Sequence, residues 1–195
     1  MSDDVLGVVL AGGASRRMGH DKAALMLGGR PLLAWVVEVL RAAFAEVAVI
    51  GPLERAALVP GVSIVRDEYP GQGPLGGIAT ALAHSGGGRI FVAACDMPFL
   101  DPALVRYLAE LAPEAAAVVP RSVRGIEPLC GCYGPACLPV ARALLARGEL
   151  ALLGLLGALP TRIVAPAEWQ VYDRSGRSLL NVNTPEDWAA ARAFL

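Results

Sequence analysis

The chain has 195 residues, 55% of them hydrophobic and 18% charged, with a formal net charge of −1. That is long enough for one domain with a substantial core, and too apolar for disorder. The pI of about 6.1 argues against a basic footprint for nucleic acid or an anionic membrane surface, so an anionic substrate must be met by charges placed locally.

Met1, Ser2, Asp3 and Asp4 make an acidic start where a secretory leader carries a positive one. The most apolar stretch, residues 150–159, is about half as long as a membrane span. The expectation is a cytoplasmic chain. Cys95, Cys130, Cys132 and Cys137 fit no recognised zinc spacing and read as reduced, structural thiols.

Residues 5–10 are an apolar run that predicts a buried strand. It stops at Gly12 and Gly13, and Arg16, Arg17, Gly19 and Lys22 follow. Glycines let backbone N–H groups approach a ligand closely. Successive N–H groups in a turn form an anion-binding concavity, and Arg and Lys add charge-assisted bonds to phosphate. The spacing is neither G-x-x-x-x-G-K-[ST], since Ala23 follows Lys22, nor G-x-G-x-x-G. The stretch reads as a grip on a nucleoside triphosphate. Its parts are the backbone of Leu10, Ala11, Gly12 and Gly13 and the side chains of Arg17 and Lys22. The plainer alternative is a strand-to-helix connection with solvated charges.

Residues 23–30 predict a short connection through Gly28 and Gly29. Pro31 suits a first helical turn, and Leu32, Leu33, Val36, Val37, Val39 and Leu40 recur at helical spacing to about Phe44. Residues 47–50 and 62–65 predict the second and third strands. Strands alternating with helices imply a parallel sheet that binds ligands at the strands' carboxyl ends, and Asp67 belongs to that edge. Residues 70–77 hold four glycines and two prolines. They predict a loop that is either flexible or shaped for close backbone contact with a ligand, ahead of a helix over 78–84. Residues 89–94 predict the fourth strand, which places Asp96 at its carboxyl end. Mg²⁺ prefers oxygen ligands and is commonly held by one or two carboxylates plus substrate phosphates. Asp101 and Pro102 already open the next helix. That leaves Asp96 as the candidate metal ligand, against the alternative of a turn aspartate.

Residues 102–111 predict that helix, 115–119 a fifth strand and 120–125 a polar loop. Residues 127–133 read as a further strand, either an edge strand with a proline at its start or part of the site. A helix to about Ala146, a short helix within 150–159 and a strand at 162–165 follow. Residues 173–178 are polar and read as exposed. Thr184, Pro185 and Asp187 predict a capped helix that docks through Trp188, Ala191 and Leu195. Asn181 and Asn183 share one face of an extended segment and offer donors and acceptors for which the capped helix has no use.

Four separated motifs carry a resemblance. From Leu10 to Lys22 the chain matches L-A-G-G-x-S-x-R-M-G-x-D-K, and it resembles the nucleotidyltransferases that activate sugars and cofactors, above all the molybdenum cofactor guanylyltransferases. Gly73-Pro74-Leu75-Gly76-Gly77 after Asp67 resembles that family's G-P-L-[AG]-G segment. Cys95-Asp96-Met97-Pro98 resembles its metal-binding C-D-x-P. Residues 181–187 resemble its closing N-[IV]-N-T-P-E-[DE]. The resemblance implies an α/β fold in three layers, with a Rossmann-like, mostly parallel sheet of the nucleotide-diphospho-sugar transferase type and helices on both faces. It implies one domain over 1–195, nucleotide-binding in its first half and molybdopterin-binding in its second. The implied activity moves GMP from GTP to molybdopterin and releases pyrophosphate. The implied parts are Mg²⁺ on Asp96, Arg17 and Lys22 as catalytic cations, base and ribose contacts near Asp67, Gly73, Pro74 and Leu75, and pterin contacts from Asn181 and Asn183. Room is left for transient contact with molybdoenzymes or their chaperones. Two alternatives stand beside it. One is a CTP-dependent molybdopterin cytidylyltransferase, whose opening tends to read Leu-Ala-Ala-Gly. The other is a nucleotide-binding adaptor without catalysis. Gly51-Pro52 ends the second strand where relatives often carry a polar side chain, so a base contact there would run through backbone.

Overall fold

The structure, a computed structural model, describes residues 5–12 and 21–194. Val5–Leu10 forms strand β1, with Val8 and Val9 fully buried on opposite faces. Two very short strands, β2 (Met26–Leu27) and β3 (Arg30–Pro31), pair antiparallel across Gly28 and Gly29. Those glycines have φ of 56° and 80°, a turn that glycine enters at least cost. The sequence shows only a connection there, because strands this short have no periodicity to read.

Then follow α1 (Leu32–Arg41), β4 (Val47–Ile50), β5 (Ser63–Val65), α2 (Gly73–His84), β6 (Arg89–Ala94) and α3 (Pro102–Glu110). The remainder is β7 (Ala117–Ser122), β8 (Gly125–Ile126), β9 (Cys130–Tyr133), α4 (Cys137–Ala146), α5 (Leu152–Gly157), β10 (Thr161–Val164), α6 (Pro166–Trp169) and α7 (Pro185–Arg192). No described helix is long and apolar enough to cross a membrane.

The main sheet has the order β10-β7-β9-β6-β1-β4-β5, with β8 paired to β7. β1 pairs in parallel with β4 and β6, β4 with β5, and β7 with β10. β9 runs against both its neighbours, β6 and β7. Two parallel halves thus meet across one reversed strand. The edge-strand reading of residues 127–133 is corrected: β9 is internal, and Pro128 precedes it, where no ladder bond is lost. Gly131 lets β9 close on β7, since a Cβ there would lie 2.3 Å from Val118 O.

Side chains alternate across each strand. Val9, Val49, Phe91 and Val118 face α1 and α3 through Leu33, Val36, Leu40, Leu104 and Leu108. Val8, Ile50, Ile90, Val92 and Val119 face α2, α4 and α5 through Ile78, Leu82, Leu144 and Leu155. Each fully buried Leu, Ile or Phe contributes about 1.5–3 kcal/mol, so both faces are strongly held and the three-layer α/β class expected from the sequence forms. Cys130 and Cys132 share a face, as their spacing predicts, and the four cysteines are free thiols. Burial pushes Cys132 up to about 12 and Cys137 up to about 11.

Two expectations are overturned and a third is corrected in part. The loop expected at 70–77 is largely helix, because α2 begins at Gly73 with Pro74 in its first turn. Small residues permit this: a Cβ on Gly76 would lie 2.8 Å from Tyr69 Cβ, and one on Gly77 would lie 3.0 Å from Leu10 Cδ2. The polar loop expected at 120–125 is the turn of a hairpin, β7 to β8. Residues 173–178 are exposed through Arg174, Ser175 and Gly176, as expected, but the ends of the stretch turn inward, with Asp173 6% and Ser178 0% exposed. The Asp173 carboxylate accepts from Ser178 N and Ser175 Oγ, each at 3.1 Å, and Ser178 Oγ accepts from Asp101 N at 2.9 Å. Polar residues can be buried when their polar groups are paired in this way.

α7 opens as its sequence predicts. Thr184 Oγ1 accepts from Asp187 N at 3.1 Å, and Asp187 Oδ2 accepts from Thr184 N and Asn183 N, each at 2.9 Å. The helix docks through Ala191 and Trp188 on Leu27, Leu32 and Val182. Leu195, expected on that face, lies outside the described residues.

Candidate active site

The carboxyl ends of β1, β4 and β6 and the first turn of α2 enclose a cavity of about 500 Å³. Leu10, Ala11, Gly12, Lys22, Asp67, Gly73, Pro74 and Asp96 all line it. Parallel strands bring their ends to one edge, so residues far apart in sequence meet there.

Lys22 starts a 3₁₀ turn, Lys22–Ala24, capped by Asp21, whose Oδ1 accepts from Ala23 N at 3.1 Å. The turn sets Lys22 Nζ 3.5 Å from Asp96 Oδ2 and 2.5 Å from Asn183 Oδ1. Three of the sequence motifs therefore converge on one ammonium. Lys22 is the only lysine among the 17 basic residues of the chain, all the others being arginine. A compact ammonium occurs at this one position in a chain that otherwise uses the planar guanidinium.

Asp96 follows β6, and its side chain is 16% exposed. Burial raises its carboxyl above the ordinary value, and the charge and hydrogen bond of Lys22 oppose that rise. A carboxylate short of solvent is well matched to a second positive charge. Among the described residues no group of three or more His, Cys, Asp and Glu forms a cage for an ion. A divalent ion at Asp96 would thus draw its other ligands from substrate oxygens and water, the habit of Mg²⁺. The residues fit such an ion.

Asp67 Oδ1 accepts from Tyr69 N at 2.9 Å and from the buried Thr80 hydroxyl at 3.1 Å. Its Oδ2 looks toward Gly12, 3.9 Å from where a Cβ on that glycine would stand. Much of the neighbouring backbone is engaged within the protein. Ala11 N donates to Ile50 O at 2.9 Å, Cys95 N to Leu10 O at 3.2 Å, and Arg55 Nε to Ala11 O at 3.2 Å. Those bonds fix the strand ends and leave Gly12, which is exposed, to present backbone to the cavity. Leu75 is fully buried in the core beside α2, so its side chain has no access to a ligand. Gly13 and Arg17 lie outside the described residues.

The closing segment comes back to this edge through one bond, Val182 N to Asp96 O at 2.8 Å. Asn183 then stands on Lys22, while Asn181 Oδ1 is buried without a hydrogen-bond partner among the described residues. Glu127 is held within the β7–β8 hairpin, accepting from Ser122 Oγ at 2.5 Å with Arg124 at 3.5 Å. Arg55 is the site residue that the sequence does not announce. An arginine in a turn whose other residues, Leu53, Glu54, Ala56 and Ala57, are exposed reads as a solvated charge, yet its side chain is only 12% exposed and pairs with Asp21.

Residues 7–161 match a family model described as the MobA-like NTP transferase domain. A relative from Pelotomaculum thermopropionicum, named a probable molybdenum cofactor guanylyltransferase, is 35% identical over 188 residues, 96% of this chain and 92% of its own. A molybdenum cofactor guanylyltransferase from Cereibacter sphaeroides is 38% identical over 98% of this chain and 97% of its own. The crystal structure of molybdopterin-guanine dinucleotide biosynthesis protein A from Archaeoglobus fulgidus superposes with a TM-score of 0.86 at 27% identity, covering 97% of each chain.

Proposed function

The chain belongs to the MobA-like NTP transferase family, and on that premise we propose that it is a molybdenum cofactor guanylyltransferase, joining the GMP part of GTP to molybdopterin with release of pyrophosphate. The observation that carries the reading is the convergence of Lys22, Asp96 and Asn183 on the rim of a cavity of about 500 Å³, a volume in the range of small-molecule sites.

Each group has a part. Asp67 Oδ2 accepts from base or ribose donors, and Gly12 lets the nucleotide lie close against backbone. When bound at Asp96, Mg²⁺ supplies positive charge to the triphosphate oxygens. Lys22 Nζ is a fixed donor aimed at the charge that grows on the departing pyrophosphate, and a preset donor needs no reorganisation at the moment of reaction. Arg17, by the motif in which it stands, adds a second cation. Asn183 Oδ1 holds the Lys22 ammonium in direction. Asn181 Oδ1 is an acceptor suited to the N–H donors of a pterin. The attacking group is a phosphate already ionised near neutral pH, so no general base is required.

The test is pyrophosphate release from GTP, Mg²⁺ and molybdopterin by Lys22→Ala and Asp96→Ala. Each should lose at least about 100-fold in kcat. Turnover near wild type in either would remove its role, and tight GTP binding by the wild type with no pyrophosphate released would favour the adaptor reading. Base choice is tested at Gly12. Among the described residues a Cβ there meets no atom closer than 3.8 Å, so Gly12→Ala should fold with unchanged Tm. It should lose about tenfold in its preference for GTP over CTP by competition binding, as expected for crowding by one methyl group. A wild type that prefers CTP would replace the guanylyl assignment with the cytidylyl one.

A further inference from the structure

Arg55 lies in the 3₁₀ turn Leu53–Ala57, just past Gly51 and Pro52. Its neighbours Glu54, Ala56 and Ala57 are not buried, but its own side chain is 12% exposed. Its Nε donates to Ala11 O at 3.2 Å, and its Nη1 pairs with Asp21 Oδ2. The other oxygen of Asp21 caps the turn that begins with Lys22. Both Asp21 oxygens are thus in use, one toward Arg55 and one toward the Lys22 turn. Ala11 is held from a second direction by Gly51, where a Cβ would lie 3.0 Å from Ala11 O. Arg55, Asp21 and Lys22 line the same cavity.

We propose that Arg55 is a positioning residue that sets Lys22 against Asp96 by holding Asp21 and the Ala11 carbonyl in a fixed relation. A guanidinium can do this because its donors leave in two fixed directions, whereas a lysine offers one nitrogen. It also neutralises Asp21, whose carboxylate would otherwise compete with Asp96 for the adjacent ammonium. The proposal rests on the guanylyltransferase reading only for what Lys22 does in turnover. The geometry it assigns can be read without turnover.

The single lysine makes that reading direct. Protein labelled with [¹⁵N]lysine gives one backbone amide signal, that of Lys22. In Arg55→Gln the signal should move, and in Asp21→Asn it should move to nearly the same place. In turnover with GTP, Mg²⁺ and molybdopterin, each variant should lose roughly tenfold or more in kcat, with the KM for GTP within about twofold of wild type. The double variant should be no slower than the worse single one, as for residues acting in one chain. Arg55→Lys keeps the charge and protects against a folding failure. It should add a second lysine signal while the Lys22 signal stays displaced and kcat stays low. An unmoved Lys22 signal in Arg55→Gln, multiplied losses in the double variant, a loss confined to KM, or wild-type kcat in Arg55→Lys would each overturn the proposal. If the wild type releases no pyrophosphate, the guanylyltransferase reading fails, and the displacement of the Lys22 signal still decides the role of Arg55.

Discussion

The wall of the cavity and the segment that returns to its edge are built by different means. The wall formed by β1, β4, β6 and α2 is made of backbone packed at close range, with Gly51, Gly76 and Gly77 where a Cβ would strike a neighbour. The segment of residues 173–187 that returns to that edge has little regular structure before α7; it is seated by the buried Leu179 and Val182 and tied by polar side chains and single hydrogen bonds. In the wall, topology places the chemistry: once parallel strands form, their ends are together. In the segment, Asn183 reaches Lys22 across 161 residues of chain, and specific contacts have to bring it there. The wall should therefore fail as a fold, and the segment as an active site.

Three substitutions sharpen that contrast. Gly51→Ala puts a Cβ 3.0 Å from Ala11 O and 3.1 Å from Ala11 C, backbone atoms with little room to shift. It should cost about 2 kcal/mol of stability, read as a shifted denaturation midpoint, with activity falling in step with the folded fraction. Asn183→Ala removes the acceptor on Lys22 while leaving the sheet intact. It should lower kcat about tenfold, equivalent to one hydrogen bond to a charged group, with Tm nearly unchanged. An Asn183→Ala protein that unfolds instead would erase the distinction between the two.

The smallest effect is at Asp187. Partial burial raises its carboxyl, but the N–H groups of Asn183 and Thr184 outweigh this and hold it below the ordinary 3.8. A depressed carboxyl stabilises the fold above its unfolded pKa and gives that up as pH falls through the folded value. Wild type should therefore lose a little stability below pH 3.8 that Asp187→Asn does not lose, read as a difference in the acid limb of Tm against pH.

The same contrast explains what could be read from the sequence. The strands at residues 5–10 and 89–94 form with the bounds their apolar runs imply, and they carry Asp96 to the edge where Lys22 lies. β2 and β3 escape notice because two-residue strands have no pattern. α2 starts earlier than expected because its glycines look like loop residues, when they are the condition for its close packing. Asp173 and Ser178 look as exposed as the residues between them because their polarity is visible and their partners are not. Arg55 is hidden for the same reason, its partners Ala11 and Asp21 lying far from it along the chain. Local physics is written locally; long-range pairing of polar groups is not.

The bond between Lys22 and Asn183 also bears on how the molecule is made. Nearly every strand of the sheet can assemble on the ribosome before residue 183 leaves the exit tunnel, and until then Lys22 faces Asp96 with no asparagine over it. The nascent chain thus carries a formed scaffold around an unfinished centre, and its competence waits for residue 183.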